Sequence, residues 1–312
     1  MPTLKEIKGR ISSVSSTVKI TAAMKMVASA KLHHTQQAVE AMRPYEEALQ
    51  RILASLQACP APAALPETDP VEDVREEDPF AENAPVARPR AIIAMASNSS
   101  LCGGYNANVI AKVRSVRQNG DVVYSIGRKM ADAMRRDGFP SPADYSELSE
   151  HPSYAPAAAL VSQLMDDVAA GRYSSVLLVY THYVSTARQE PVVEQLLPSA
   201  GISCHSERSE ESPRSEESPR SEESPSAAPE DLIIEPSARE LREMLAPKTL
   251  KLRLYSVLLD NAAAEHAART VAMQLATDNG SKLLDELTLQ YNKGRQQKIT
   301  NEILDLAGGA AS

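Results

Sequence analysis

The residues of this chain that could do chemistry are scattered. His33, His34, His151, His182, His205 and His266 show no HExxH pair and no Cys/His spacing of the kind that sets ligands around a metal. His33 and His34 are adjacent, so on a helix they point to different faces. Cys59, Cys102 and Cys204 are odd in number and lack a CxxC pair, which argues against a disulfide framework or a zinc site and fits a reducing compartment. No serine–histidine–acid signature is present, and no acid pair stands in a catalytic context. The sequence therefore assigns no catalytic residue, no metal and no cofactor. Leu101–Asn106 (LCGGYN) is the most motif-like stretch. It follows a strand pattern and precedes a helix pattern, so Gly103 and Gly104 could form a phosphate nest. It lacks both GxGxxG and GxxxxGK[ST]. The plainer reading is a tight turn in which the two glycines supply backbone freedom.

What must position these residues is mostly helix. Leu4, Ile7, Ile11, Val14 and Val18 alternate in steps of three and four, a heptad seam. Ala38, Met42, Tyr45, Leu49, Ile52 and Leu56 form a second seam, displaced in phase by one residue. Ile20, Met24, Met26 and Val27 lie off both. Pro44 removes a helix hydrogen bond and should bend the rod, which would span about 84 Å if continuous. Near the other end, Ser237 caps a short helix to Leu245 and Pro247 breaks or kinks it. A much longer helix then starts at Lys248. Its seam runs Leu250, Leu254, Val257, Asn261, Ala264, Ala268, Val271 and Leu275, and resumes through Leu284, Leu287, Tyr291, Ile299, Ile303 and Leu306. Seven alanines between Ala262 and Ala276 make its middle slender. Asp278-Asn279-Gly280 is a turn-type signal, but the resumed seam favours a helix that continues. Two such rods at opposite ends of the chain are expected to pair antiparallel.

Between them the pattern changes. Ala91–Ala96, Asp121–Ile126 and Ser175–Thr181 read as short buried strands, alternating with helices over 106–118, 128–137 and 156–171. Pro191–Leu197 and Asp231–Glu235 read as further strands. The fold class is thus α/β plus a long antiparallel helical coiled coil, with a central Rossmann-like α/β domain inserted between the N- and C-terminal helices. The expected organisation is a helix over 1–57, an acidic Pro-rich linker over 58–89, the α/β domain over 90–236, and a helix over 237–312. Within the domain, 206–230 reads as a disordered insertion built on the tandem repeat ERSEES, PRSEES, PRSEES.

The formal charge of −8 conceals two opposite regions. Glu67–Glu82 carries −7 and Ser206–Asp231 carries −6, which leaves the remainder at +5. Met1–His34 holds six Lys/Arg against Glu6 alone, so the first helix is a basic rod that suits an acidic partner. A basic rod permits nucleic acid, but aromatic interleaving is absent and the acidic segments would repel phosphate, so no nucleic-acid partner is assigned. No signal-peptide core and no membrane-spanning run is present.

KITAAMKMVASAKL at 19–32 resembles the N-terminal signature of the gamma subunit of F-type ATP synthase. SLCGGYN at 100–106 resembles that family's first strand–loop motif. EHAARTVAMQLATDNG at 265–280 and LTLQYNKGRQQKITNEILDLAGGA at 287–310 resemble its C-terminal signature, and PVVEQLLP and LIIEPSARELREML align with its central domain. The resemblance covers nearly the whole chain. It implies a rotary shaft that does no bond chemistry, the F1-sector rotor of a proton-transporting enzyme that makes ATP. The partners implied are three alpha and three beta subunits around the coiled coil, the epsilon subunit and the c-subunit ring against the protruding domain. The location implied is peripheral, on the cytoplasmic side of the cell inner membrane, with membrane association only through the complex.

Carried over residue by residue, the implied contacts to the alpha/beta ring are Met24 and Lys25 in the first helix, with Arg269, Arg295, Gln296, Thr300 and Glu302 in the last. Arg295 and Gln296 resemble a polar catch to beta. Two positions depart from the family: Ala22, where a basic or polar residue is usual, and Gly294, where Ala is common and Gly costs roughly 1 kcal/mol of helix propensity. The rival reading is a Rossmann-like nucleotide-binding enzyme with a helical dimerisation arm. Tight nucleotide binding or turnover by the isolated chain would favour it.

Overall fold

The computed structural model describes residues 3–58, 88–198 and 237–309. The expected strand at Asp231–Glu235, the acidic linker, the 206–230 insertion, Cys59, Cys204 and the side chain of Leu306 lie outside the described residues.

Two helices dominate. α1 (Leu4–Ala58) is about 82 Å long and α6 (Ala238–Gly309) about 108 Å, at ~1.5 Å per residue. α1 opens on a reciprocal capping box: the Glu6 N–H donates to Thr3 Oγ1 at 3.3 Å, and the Thr3 N–H donates to Glu6 Oε2 at 2.9 Å. α6 opens on Ser237, whose hydroxyl accepts the Glu240 N–H at 3.2 Å.

The helices are antiparallel and in one unbroken register. Leu4 meets Gly294, and Val18 meets Gly280. The Thr21 and Thr277 hydroxyls bond at 2.9 Å, and Arg242 donates to the Leu56 carbonyl at 2.5 Å. In each pair the two residue numbers add to 298, so the register does not slip anywhere along α1.

Three expectations are corrected here. The seam of α1 does not change phase. One stripe of less exposed positions runs Ile7, Ile11, Val14, Val18, Thr21, Lys25, Ala28, Leu32, Thr35, Val39, Met42, Glu46, Leu49, Leu53 and Leu56, in steps of four and three throughout. Tyr45 and Ile52 are 59% and 42% exposed, outside the seam. Polar residues at four seam positions conceal this stripe in the sequence. Two of them, Thr21 and Thr35, satisfy their hydroxyls on backbone carbonyls one turn back.

The stripe of α6 read from 250 to 268 does not face α1. Leu254, Val257 and Leu258 pack on the sheet, and Ala264 and Ala268 pack on Cys102 and Tyr105, while Ala263 and Ala267 meet Leu32 of α1. The helix is apolar on two faces because it serves two neighbours, and Leu275, beyond the domain, is exposed. Burying Leu254, Val257 and Leu258 contributes about 1.5–3 kcal/mol each.

The third concerns Pro247. α1 runs through Pro44, which lies on its exposed face. α6 runs through Pro247, so no separate helix ends at Leu245. The loss of about 3 kcal/mol that an interior proline carries is offset by packing on both sides, including the Arg242 bond to the end of α1 and the buried Leu252 and Leu254.

The sheet has strand order β2-β1-β3-β4. β1 (Ala91–Met95) lies parallel to β2 (Val122–Ile126) and β3 (Val176–Tyr183), and β4 (Gln189–Leu197) returns antiparallel to β3. α2 (Tyr105–Val116) and α3 (Arg128–Arg136) cover one face through Val109, Val113, Met130 and Met134. α4 (Ser146–Glu150) and α5 (Tyr154–Ala169) cover the other, with α6 completing that layer. α6 is therefore part of the domain's own core.

Candidate functional site

β3 continues past the end of β1, whose last partner on it is Val179. The next N–H groups on that side need acceptors, and α6 supplies them. Asn261 Oδ1 accepts from the Thr181 N–H at 3.2 Å and from the Tyr105 hydroxyl at 2.7 Å. Asp260 Oδ1 accepts from the Tyr183 N–H at 3.1 Å, and Asp260 Oδ2 bonds His182 Nδ1 at 2.6 Å. Asn261 is buried, so its bonds are shielded from water. Burial drives the Tyr105 hydroxyl far above its ordinary pKa, which keeps it a donor. The hydrogen bond to Asp260 raises His182.

The 97–106 loop seats against the same helix. Asn106 organises it: its Oδ1 accepts from the Ser97 N–H at 3.1 Å, and its Nδ2 donates to Ser97 Oγ at 2.8 Å. Cys102 is buried on Ala264 and Ala268. Gly103 has φ +60°, and a Cβ there would lie 3.7 Å from Ala272 Cβ. Gly104 is an ordinary right-handed residue at φ −79°. Only Gly103 needs glycine's freedom, and its Cα faces Ala272 of α6. Leu101 stands at φ +68° with its side chain exposed.

Arg269 closes this seat. One guanidinium nitrogen donates to Glu265 at 2.6 Å, and another donates to Ser99 Oγ at 2.8 Å. Burial pushes the Glu265 carboxyl up, against the pull of Arg269. Burial also lowers its neighbour His266 to about 4, and the positive charges of Arg269 and Lys31 add to the shift.

The sequence-predicted contacts fall at two levels of the rod. Met24 is exposed and Lys25 half-buried, and by the shared register they stand within about one turn of Arg269 and the Gly103 loop. Ile20 and Val27 lie on the same side of the helix as Met24 and extend an apolar stripe there, while Met26 (75% exposed) points to another side. Arg295, Gln296, Thr300 and Glu302 lie together roughly 30 Å away, all exposed. They begin just past the start of α1: Gly294 faces Leu4, and α6 continues beyond it through Gly309 with no described residue of α1 alongside. Ile303 is 60% exposed on this overhang, and Lys298 pairs with Glu302 at 3.6 Å.

The sequence reading missed Asp260, Tyr105 and Asn106 as joint residues, and took Asn261 for a coiled-coil position. A polar residue in an otherwise apolar stripe was the available signal. Among the described residues, no cluster of His, Cys, Asp or Glu could hold a metal ion, and no helix is long and apolar enough to cross a membrane.

A family model described as ATP synthase matches residues 3–312. The ATP synthase gamma chain of Phocaeicola vulgatus is 42% identical, covering 99% of both chains. That of Heliobacterium modesticaldum is 36% identical, covering 100% of this chain and 99% of its own. Among solved structures, a chain of the Euglena gracilis mitochondrial ATP synthase (OSCP/F1/c-ring) superposes with TM-score 0.62 at 18% identity, over 99% of this chain and 93% of that one. A chain of the Tetrahymena thermophila mitochondrial ATP synthase central stalk/c-ring gives 0.53 at 20% identity, over 82% and 99%. At these identities the structural likeness concerns the fold.

Proposed function

This chain belongs to the ATP synthase gamma-chain family, and from that premise we propose how it works as the non-catalytic rotor shaft of the F1 sector. The paired helices turn inside a ring of three alpha and three beta subunits. The α/β domain protrudes toward the epsilon subunit and the c-subunit ring, which drives it as protons pass. The chain is peripheral to the membrane, on the cytoplasmic side of the inner membrane, and is held there by the complex alone. Residues 1–57 and 237–312 form the shaft, 90–236 the protruding domain and 58–89 the connection.

The observation that carries this reading is the single register kept along the whole of α1, together with its continuation into the α/β core. Rotation applied to the domain is thereby delivered to the rod without a hinge between them.

The two exposed levels divide the work. Met24, Lys25 and the neighbouring apolar patch form a lower collar, where the basic rod meets acidic segments of beta. Such contacts stay reversible because exposed ion pairs contribute only ~0–1 kcal/mol. Arg295, Gln296, Thr300 and Glu302 form an upper one on the overhang. Arg269 serves the lower collar by holding the Ser99 loop on the shaft, while Gly103 lets that loop close against Ala272.

Reconstitution with alpha and beta subunits tests the reading. ATP hydrolysis by the assembly should rotate a bead attached to the α/β domain. An assembly that hydrolyses ATP while this chain stays still refutes it.

A further inference from the structure

We propose that Arg253 is a torsional clamp, a positioning residue that ties both shaft helices to the sheet. The proposal rests on the rotor reading and deepens it.

Arg253 of α6 lies where three elements meet. Its Nε and Nη2 donate to Glu194 Oε1 and Oε2 of β4 at 2.9 and 2.8 Å, a two-point grip. Its Nη1 donates to Glu46 Oε1 of α1 at 3.3 Å. Ser256, one turn along α6, donates to Glu46 Oε2 at 3.1 Å. The Tyr180 hydroxyl of β3 donates to Glu194 Oε2 at 3.3 Å. One guanidinium thus holds a carboxylate from the other shaft helix and a carboxylate from the sheet.

The surrounding contacts explain why such a clamp matters. α1 and α6 meet through a narrow seam thinned by alanine and glycine. α6 meets the sheet through Leu254, Val257 and Leu258. Apolar contact resists separation, but it is non-directional and resists twisting weakly. Charge-assisted, two-point bonds are directional. Twisting the rod against the domain must therefore stretch the Glu46–Arg253–Glu194 bridge first. The bridge is half-buried, with the three side chains between 20% and 36% exposed, so salt screens it less than a surface pair. Lysine keeps the charge but is a point donor and cannot make the two-point grip.

The test compares wild type with Arg253→Lys, Arg253→Ala and Glu194→Gln in the complete complex. Two quantities are read: ATP hydrolysis, and the torsional compliance between the overhang and the α/β domain in single-molecule rotation. The clamp predicts hydrolysis near wild type, because neither collar is touched. It predicts compliance raised about twofold or more, a small coupling for contacting residues in one network, and weaker ATP-driven proton pumping against a load. Wild-type compliance in all three variants overturns it. Should Arg253→Ala fail to assemble, Arg253→Lys and Glu194→Gln still decide. Should the wild-type chain fail to rotate, the rotor reading falls by itself. The clamp is then decided in the isolated full chain, where Arg253→Lys should speed amide exchange together in α1 around Glu46 and in β4. Unchanged exchange there overturns the clamp.

Discussion

Gly280 lies so close to Val18 across the helix pair that a Cβ at 280 would stand 2.6 Å from Val18 Cγ2. Val18 is branched at Cβ and has little rotamer freedom in a helix. Gly280→Ala must therefore push the helices apart. Overpacking costs about 1–3 kcal/mol, against a helix-propensity gain of about 1 kcal/mol. Thermal unfolding should show a net loss of up to about 2 kcal/mol.

Gly294 should behave in the opposite way. Its added Cβ would meet only the end of Leu4, at 3.1 Å, next to the start of α1. That side chain can swing aside, so Gly294→Ala should be neutral or stabilising by up to about 1 kcal/mol. A large loss of melting temperature would refute the idea that the close approach relaxes there.

Asn261→Ala removes the acceptor shared by the Thr181 N–H and the Tyr105 hydroxyl. The Tyr105 hydroxyl keeps the Asn261 backbone carbonyl at 3.3 Å, so the Thr181 N–H is the donor left unpaired, and at about 1–3 kcal/mol for such a group denaturant unfolding should register roughly 1–3 kcal/mol. The loss should exceed that of Thr270→Ala, because the Thr270 hydroxyl bonds only the His266 carbonyl of its own helix.

His266 should make the shaft sensitive to acid. Its folded pKa is pushed down to about 4, first by burial and then by Arg269 and Lys31. An unfolded histidine takes a proton near 6.5. The unfolded state therefore binds more protons between these values, and stability falls as pH drops from about 6.5 toward 4. The contribution at stake is up to about 3 kcal/mol. His266→Gln should flatten that limb of the unfolding profile. His182, raised by Asp260, runs the other way: its contribution is full below about 6.5 and fades as pH rises past its folded value.

Removing residues 206–226 should leave assembly with alpha and beta unchanged. The shaft begins at Ser237 and Ala238, and the last described strand, β4, ends at Leu197. Loss of assembly on gel filtration would show that the repeat is needed.

The two long helices, their antiparallel pairing and the alternating strands were legible in the sequence because each follows a regular spacing. The strand expectation at Pro191–Leu197 falls within β4, and that at Ala91–Ala96 covers β1. The true seam was not legible. Thr21, Lys25, Thr35 and Glu46 occupy seam positions of α1 while Tyr45 and Ile52 point outward, so hydrophobicity marked the wrong stripe. On α6 the strongest apolar stripe belongs to the sheet contact, and a one-dimensional pattern cannot say which of two neighbours a face serves. Pro247 misled for a related reason: packing on both sides of α6 outweighs one lost backbone bond. The carry-over of Met24, Lys25 and the Arg295–Glu302 group rested on resemblance, since an exposed polar residue leaves no periodic mark.

The constant sum of 298 along the paired helices has an evolutionary corollary. One residue gained or lost in either helix rotates everything beyond it by about 100° and carries Val18 away from Gly280 and Thr21 away from Thr277. Descendants of this chain can therefore lengthen or shorten the rods only by compensated, heptad-sized steps. Single-residue length drift is left to the connections 59–87 and 199–236, and the sequence carries its repeat in the second of these.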